Sequence, residues 1–266
     1  MGRGMEFSGS DNQIRVQKQI RDRHPWVART PGVANGGRLL HFVEPETVGW
    51  DRVRDLANVD RLAGFPAVRG TETIAAIHEH LGPHWKTPAW DVFLGAVEHV
   101  VPHCRDLLDS VQLPAGWRME AHEKPTDEQI RAVQTLNAET GVSPYPAYYS
   151  RGDAVPVITL CILDAGGELV ATASAAFRYH AECRLAGTLF AGMVSVSPSH
   201  RGKGLGKLVN AVMMIESQKA FAWTTVKEQV AVDNAPSRAM IKACGLDNSE
   251  GLVSVAAINS DEAFTR

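Results

Sequence analysis

Apolar positions in the second half of the chain alternate between short continuous runs and the three-to-four spacing of helices. A helix begins after Thr126, a residue suited to capping, and acidic residues follow in its first turn. Apolar runs flank a Gly-Gly turn and predict a hairpin. Strands are predicted over residues 117–121, 155–163, 169–178, 188–196, 224–232 and 251–258. Together with helices after residues 126, 204 and 235, this order is typical of a mixed α/β domain with a central sheet and flanking helices.

The first half shows mostly helical spacing and no recognisable catalytic motif. Helices are predicted over residues 14–22, 45–62, 72–81 and 90–111, with a loop at residues 32–37. Pro102 lies inside the last helix, so a kink or a break is expected near residue 101. We therefore predict a mainly helical N-terminal region, residues 1–115, followed by the α/β domain, residues 116–266.

A strand, a glycine-rich loop and an amphipathic helix follow one another over residues 194–209. The loop contains Gly202, Gly204 and Gly206, and Arg201 and Lys203 add positive charge to it. Small side chains allow several backbone N–H groups to point at one site, where the positive end of the helix dipole also lies. The stretch therefore predicts an anion site suited to a phosphate or a pyrophosphate.

Two common phosphate-binding loops do not fit this stretch. A Walker A loop needs a glycine five residues before its Gly-Lys pair and a hydroxyl after it. Arg201 stands at the first of these positions and Leu208 at the second. A dinucleotide fingerprint fails as well, because its third glycine would fall on Lys207 or Val209.

The spacing that does fit is Arg201-x-x-Gly204-x-Gly206, preceded by Val194-x-Val196-x-Pro198. It closely resembles the acetyl-CoA loop of the GNAT superfamily of N-acetyltransferases, and the resemblance covers about residues 115–260. The resemblance implies a GNAT-like sheet and acetyl-CoA as cosubstrate. It further implies that cofactor contacts come from Val194, Ser195, Val196, Arg201, Gly202, Lys203, Gly204, Leu205 and Gly206.

The resemblance also implies direct acyl transfer, in which an amine attacks the thioester within a ternary complex. The reaction would take place where the strand ending at Val196 parts from the strand ending near residue 232. Asn234 matches an asparagine that commonly contacts the cofactor in the family, and it is also a good helix cap. The family usually ends in two strands, but one is predicted here, over residues 251–258. The first half or a partner chain is expected to complete the sheet.

The proton-transfer groups are less clearly indicated. Many members of the family carry a tyrosine about seven residues after the asparagine, where this chain has Ile241. Weak candidates for the acid are Cys244 and Ser237, and weak candidates for the base are Glu182, His180 and Tyr148. A covalent acyl-enzyme is not expected, since no G-x-S-x-G motif is present. A CoA-binding regulatory module without catalysis and a nucleotide-binding protein stay open as alternative functions.

Composition narrows the partners and the location. The net charge of −3 over 266 residues argues against a nucleic-acid-binding surface. Apolar runs fall well short of the 18 residues that a membrane span needs, so no membrane association is expected. The start lacks the apolar segment of a signal peptide, and the four cysteines are scattered. A cytoplasmic location with reduced thiols is therefore expected.

The acceptor and the assembly are not fixed by the sequence. A small-molecule amine and a protein amino group are both consistent with the resemblance. Histidines are dense between His78 and His103, but no set of three with ligand spacing follows, so no metal is expected. A homodimer stays open. So do three roles for residues 1–115: a cover over the acceptor cleft, a dimerisation element, or a decayed second copy of the transferase fold.

Overall fold

In the computed structural model, which describes residues 6–259, one ten-stranded sheet takes strands from both halves of the chain. The strands are β1 Val33–Asn35, β2 Leu40–Phe42, β3 Leu62–Arg69, β4 Ala89–Ala96, β5 Arg118–His122, β6 Val157–Leu163, β7 Leu169–Ala176, β8 Thr188–Val196, β9 Thr225–Val230 and β10 Asp247–Ile258. Their order across the sheet is β1-β2-β3-β10-β4-β9-β8-β7-β6-β5. The polar start of the chain, residues 1–5, lies outside the described residues, as do residues 260–266.

Helices flank this sheet, as the α/β prediction requires. They are α1 Asp11–Asp22, α2 His24–Val27, α3 Pro45–Val48, α4 Trp50–Asp60, α5 Gly70–Leu81, α6 Val97–Ser110, α7 Asp127–Glu139, α8 Ala147–Ser150, α9 Leu205–Phe221 and α10 Ala235–Ala243. Thr126 caps α7 as expected, and its hydroxyl accepts from the backbone N–H of Gln129. The predicted mixed sheet with flanking helices is confirmed. No helix within residues 6–259 has the length and apolar character needed to cross a bilayer.

The first half is rich in helices, as predicted, but it also contains four strands that its spacing did not reveal. The helix predicted over residues 90–111 is wrong in its first part, where β4 stands instead. Neighbouring Val92 and Phe93 are both fully buried, one on each face of the sheet, which produces an apolar run without strand alternation. The loop predicted at residues 32–37 contains β1. Helix α6 continues past Pro102, so the expected break is not seen.

Strand β4 completes the sheet of the second half. It lies between β9 and β10 and pairs with both in antiparallel fashion, with Asp91 opposite Val230 and Ala96 opposite Thr225. The Arg238 guanidinium of α10 forms a 2.5 Å ion pair with Asp91. Of the two expected ways to complete this sheet, a strand from the first half is therefore the one observed.

The strand order has an internal pseudo-symmetry about the central pair β10–β4. Strand β2 runs parallel to β3 as β8 runs parallel to β9, and each of these pairs is linked by a helix, α4 or α9. A second helix, α5 or α10, then leads to β4 or β10. Each half thus places its last strand between two strands of the other half. This arrangement is what a second copy of the transferase fold would produce.

The main core joins the two halves. Leu208 and Met213 of α9 and Val226 of β9 are fully buried in one apolar cluster with Phe93 of β4. A second cluster packs α1, α4 and α5 of the first half against β3 and against Val255 of β10. Because each cluster contains side chains from both halves, burial of apolar surface stabilises them together.

We expect Phe93→Ala to lower the free energy of unfolding by about 3–5 kcal/mol, because it opens a cavity in the shared core. Val59→Ala on α4, whose side chain is half exposed, is the control and should change stability by less than about 0.5 kcal/mol. Urea denaturation followed by circular dichroism measures both. Equal midpoints for the two variants would contradict the placement of β4 in the core.

Candidate active site at the cleft between β8 and β9

The neighbouring parallel strands β8 and β9 separate after a short paired segment. Their register covers three pairs, from Thr188 opposite Thr225 to Phe190 opposite Lys227. Strand β8 then continues to Val196 and β9 to Val230. The separation opens a cleft of about 900 Å³. Its walls include Arg38, Trp90, Val142, Ala191, Gly192, Met193, Val194, Glu228, Gln229, Asn234, Ser237, Met240 and Ile241.

A β-bulge shapes the β8 wall of this cleft. Strand β8 uses one more residue than β7 between the pairs Ser174–Gly192 and Thr172–Ser195. Met193 adopts a positive φ of 56°, a conformation that is uncommon for residues other than glycine. The bulge takes backbone groups out of regular pairing next to the cleft, which makes the N–H groups near Val194 candidates for binding a carbonyl oxygen.

Two of the predicted cofactor residues on β8 have different positions: one lines the cleft, and the side chain of the other is bonded to α7. Val194 lines the cleft. The Ser195 hydroxyl is buried, donates to Asn137 Oδ1 at 2.8 Å and accepts from the Thr140 hydroxyl at 2.8 Å. That side chain anchors β8 to α7, so Ser195 can offer a ligand its backbone alone.

The predicted anion loop is exposed and open at the start of α9. Gly202 and Gly204 have φ values of 76° and 77°, which glycine adopts without strain. Gly204 is the N-cap of α9, and no side chain caps this helix end. The first N–H groups of a 17-residue helix are therefore available to an anion. Arg201 and Lys203 lie exposed beside them.

Asn234 performs the cap role that its sequence position predicts and also lines the cleft. Its Oδ1 accepts from the backbone N–H of Ser237 at 3.1 Å at the start of α10. Ser237 and Ile241, one turn apart on the same helix, also face the cleft. At the position where many family members have a tyrosine, this chain thus has the buried aliphatic side chain of Ile241. The nearest hydroxyl group along α10 is that of Ser237.

Glu228 is a cleft residue that sequence reasoning missed. It is 3% exposed, and burial raises the pKa of its carboxyl group to about 7, while a 2.7 Å hydrogen bond from Asn210 Nδ2 opposes the rise. A carboxyl group that titrates near neutral pH is suited to general base catalysis. The available signal was the run Lys227, Glu228, Gln229 in the middle of an otherwise apolar predicted strand.

The four catalytic candidates from the sequence lie away from the cleft walls. His180 and Glu182 are on the connection before β8, where His180 Nδ1 accepts from the Glu182 backbone N–H. Tyr148 is buried against Phe7, and burial raises the pKa of its phenol to about 12. The Cys244 thiol is buried, and its contact with Cys104 together with burial raises its pKa. The structure therefore does not bring these side chains together.

Residues of the first half contribute directly to the site. Arg38 and Trp90 line the cleft, and both also line a second cavity that adjoins it. Phe190 and Gln229 are shared between the two cavities in the same way. The first half therefore forms part of the cleft wall. No cluster of three metal-ligating side chains occurs in the part of the chain that the structure describes.

Comparison with known proteins agrees with this geometry. Residues 126–246 match the family model of the acetyltransferase (GNAT) family, which uses acetyl-CoA as cosubstrate. The match covers α7 to α10 and the strands between them, including the loop and the strands β8 and β9 that border the cleft. No curated protein matches the sequence significantly.

Solved structures with the same fold extend over both halves. A GCN5-related N-acetyltransferase from Kribbella flavida is 14% identical, with a TM-score of 0.56 over 94% of this chain and 98% of that one. A tandem GNAT protein from the clavulanic acid biosynthesis pathway is 17% identical, with a TM-score of 0.54 over 86% and 78%. A GCN5-related N-acetyltransferase-like protein from Streptococcus suis is 14% identical, with a TM-score of 0.51 over 77% and 76%. At these identities the likeness shows the fold.

Two substitutions at Gly204 test the loop as the pyrophosphate site. Both Gly204→Ala and Gly204→Glu place a side chain at a positive φ, so they share the backbone strain. Only the glutamate adds a carboxylate where the phosphates would bind. We expect the alanine variant to weaken CoA binding less than about tenfold and the glutamate variant to weaken it more than about 100-fold.

Calorimetric titration with CoA measures both affinities, and thermal melting checks that both variants fold. Equal affinities for the alanine and glutamate variants would contradict the loop assignment.

Proposed function

We propose, on the premise that residues 126–246 form a domain of the GNAT acetyltransferase family, that the protein transfers an acetyl group from acetyl-CoA directly to an amine. The observation that carries this proposal is the continuity of β8 with the open helix end of α9. The cleft wall at Val194 and the loop at residues 201–206 lie on one uninterrupted stretch of chain. A ligand with a pyrophosphate at one end and a thioester at the other matches this stretch.

Binding and orientation come from three parts of the site. The loop and the first turn of α9 hold the pyrophosphate, with Arg201 and Lys203 adding charge. Asn234 offers its side-chain amide beside the cleft while its carbonyl oxygen caps α10. Acetyl-CoA, when bound, supplies the activated acetyl group. Anchoring at the remote loop orients the thioester and lowers the entropic part of the barrier.

Two groups in the cleft are proposed for charge and proton handling. Backbone N–H groups at the bulge near Val194 polarise the thioester carbonyl. Glu228, in its ionised form, accepts a proton from the attacking amine directly or through one water. Both groups line the same cleft, and Glu228 is shielded from bulk solvent.

The departing thiolate needs less help than an alkoxide or an amide would. Thiols titrate near pH 8.5, so a thiolate is a tolerable leaving group close to neutral pH. Ser237 is the hydroxyl side chain among the described residues that line the cleft, and a hydrogen bond from it can stabilise the developing charge. Ile241 in place of a tyrosine is therefore compatible with turnover.

The reaction itself is tested by mixing the protein with acetyl-CoA and a panel of amines while thiol release is followed. Acceptor-dependent thiol release would support the proposal. Saturable acetyl-CoA binding without release from any amine would favour the alternative, a CoA-binding regulatory module. Tight binding of ATP without binding of CoA would favour a nucleotide-binding protein.

The pH dependence of the reaction tests Glu228. Its carboxyl group must be ionised to act as a base, so we expect kcat/KM to rise with pH through one ionisation near pH 7. Glu228→Gln should lower kcat/KM by about 10²–10⁴-fold and remove that inflection, while the ionisation of the amine itself stays. The pH–rate profiles of both proteins with the same acceptor measure this difference.

Glu216→Gln provides the matched control, because this carboxylate lies on α9 in a surface pair with Lys219. Its profile should coincide with that of the unmodified protein. An unchanged inflection near pH 7 in Glu228→Gln would exclude Glu228 as the base.

A further inference from the structure

A second cavity adjoins the acceptor side of the cleft and lies between the two halves of the chain. It is a narrow, partly enclosed space with room for a small polar group such as a carboxylate. Strand β3 and the turn around Arg38 form one side, and Arg178, Phe190 and Gln229 form the other. Four residues line both this cavity and the cleft, so a molecule in the cleft can extend one group into the cavity.

Arg178 is the principal polar group of this cavity. It is 6% exposed, and its guanidinium lies 3.9 Å from the centroid of the Phe190 ring. Its Nη2 donates to the Tyr179 hydroxyl at 3.3 Å, whereas its Nε has no hydrogen-bond acceptor among residues 6–259. An arginine stays charged in proteins, and burial of a charge without a counterion is costly. The stacked, fixed guanidinium thus presents an unused donor.

No acidic side chain offsets the charge of Arg178 within the cavity. Among the described residues, those that line the cavity include Arg38, His41 and Arg178 and no aspartate or glutamate. Burial, and then the charge of Arg178, lowers the pKa of His41 well below its usual value. The Nδ1 of His41 is also buried without a hydrogen-bond partner within the described range.

The nearby acidic residue points elsewhere. Glu228 neighbours Lys227 and Gln229 on β9, but successive side chains of a strand face opposite sides of the sheet. Its carboxylate is bonded to Asn210 of α9, whereas Lys227 Nζ donates to Gln229 Oε1 at 2.9 Å and lies 5.2 Å from the Phe190 centroid. Burial, and then the charge of Arg178, lowers the pKa of Lys227 well below its usual value, and the carboxylate of Glu228 does not lie on this side of β9.

We propose that this cavity binds an anionic group of the acceptor, so that the substrate is a small amine bearing a carboxylate or a phosphate. This inference rests on the proposed acetyl transfer and adds the acceptor class to it. Arg178 forms charge-assisted hydrogen bonds with the anion. The apolar walls Trp90 and Phe190 enclose the carbon chain, and the amine extends past Gln229 into the cleft toward Glu228.

Paired acceptors test the inference. Glycine and larger amino acids are compared with their carboxamides, which have nearly the same size but no negative charge, and phosphoethanolamine is compared with ethanolamine. We expect kcat/KM from thiol release to be at least about 100-fold higher for the anionic member of the preferred pair. The ratio of kcat/KM for the anionic member to that for the neutral member is compared between the two kinds of pair. A larger ratio for the amino acids indicates a carboxylate, and a larger ratio for phosphoethanolamine indicates a phosphate. Ratios near one in both pairs would overturn the inference.

Substitution of Arg178 assigns the preference to this cavity. Arg178→Met should lower kcat/KM for the anionic acceptor at least about 100-fold and leave the neutral partner within about threefold. Arg118→Gln on edge strand β5, whose side chain is half exposed, is the control and should match the unmodified protein. If Arg178→Met fails to fold in thermal melting, Arg178→Lys keeps the charge and loses the planar fork. Arg178→Lys should reduce the anionic-to-neutral ratio of kcat/KM about tenfold.

Calorimetry separates failure of this inference from failure of the proposed reaction. If no amine releases thiol, the same compounds are titrated into the CoA-saturated protein. Binding of the anionic member alone, lost in Arg178→Met or weakened in Arg178→Lys, would support the cavity even without turnover. If neutral amines react and anionic ones neither react nor bind, the inference fails and acetyl transfer stands.

Discussion

Backbone pairing between β8 and β9 stops after three residue pairs, and the site depends on that early stop. Two parallel strands in the middle of a sheet would normally satisfy their polar groups on each other. Here the bulge at Met193 and the separation of the strands leave polar backbone beside a cleft instead. The same strand then leads into a helix start without a side-chain cap. One stretch of chain thereby joins an anion site to a place where a carbonyl can be polarised.

Features that depend on neighbouring residues in the sequence were predicted correctly, whereas features that depend on which strands pair were missed. The loop at residues 201–206 and the Thr126 cap follow from backbone and side-chain preferences within a few residues, so their patterns were informative. Strand β4 was misread because burial on both faces removes alternation, as with Val92 and Phe93. Glu228 was missed because it lines the cleft only where β8 stops pairing with β9, and the sequence does not show where that pairing stops. His180 and Glu182 were placed near the cleft from chain order, which does not determine the path of a connection.

Strand β9 separates two electrostatic environments across the thickness of the sheet. On the side of α9, Glu228 is held by an amide, and burial raises its pKa. On the other side, the Arg178 guanidinium and Lys227 Nζ lie 3.9 Å and 5.2 Å from the centroid of the Phe190 ring, and burial lowers the lysine pKa. The pleat thus directs the neighbouring side chains of Lys227 and Glu228 to opposite sides of the sheet. An acceptor amine with an anionic group would be attracted by Arg178 at its anionic end, and Glu228 would accept a proton from its amine end.

The exchange of β4 and β10 between the halves also governs when the chain can fold during synthesis. Strand β10 pairs with β3 near the start of the chain, and the Ser254 hydroxyl accepts from the Ala67 backbone N–H across 187 positions of sequence. The edge of β3 that pairs with β10 therefore stays open until residues 247–258 have left the ribosome. Contacts of such sequence separation form slowly, and exposed edges favour aggregation meanwhile. The sheet of the first half is thus completed only after β10 has been synthesised.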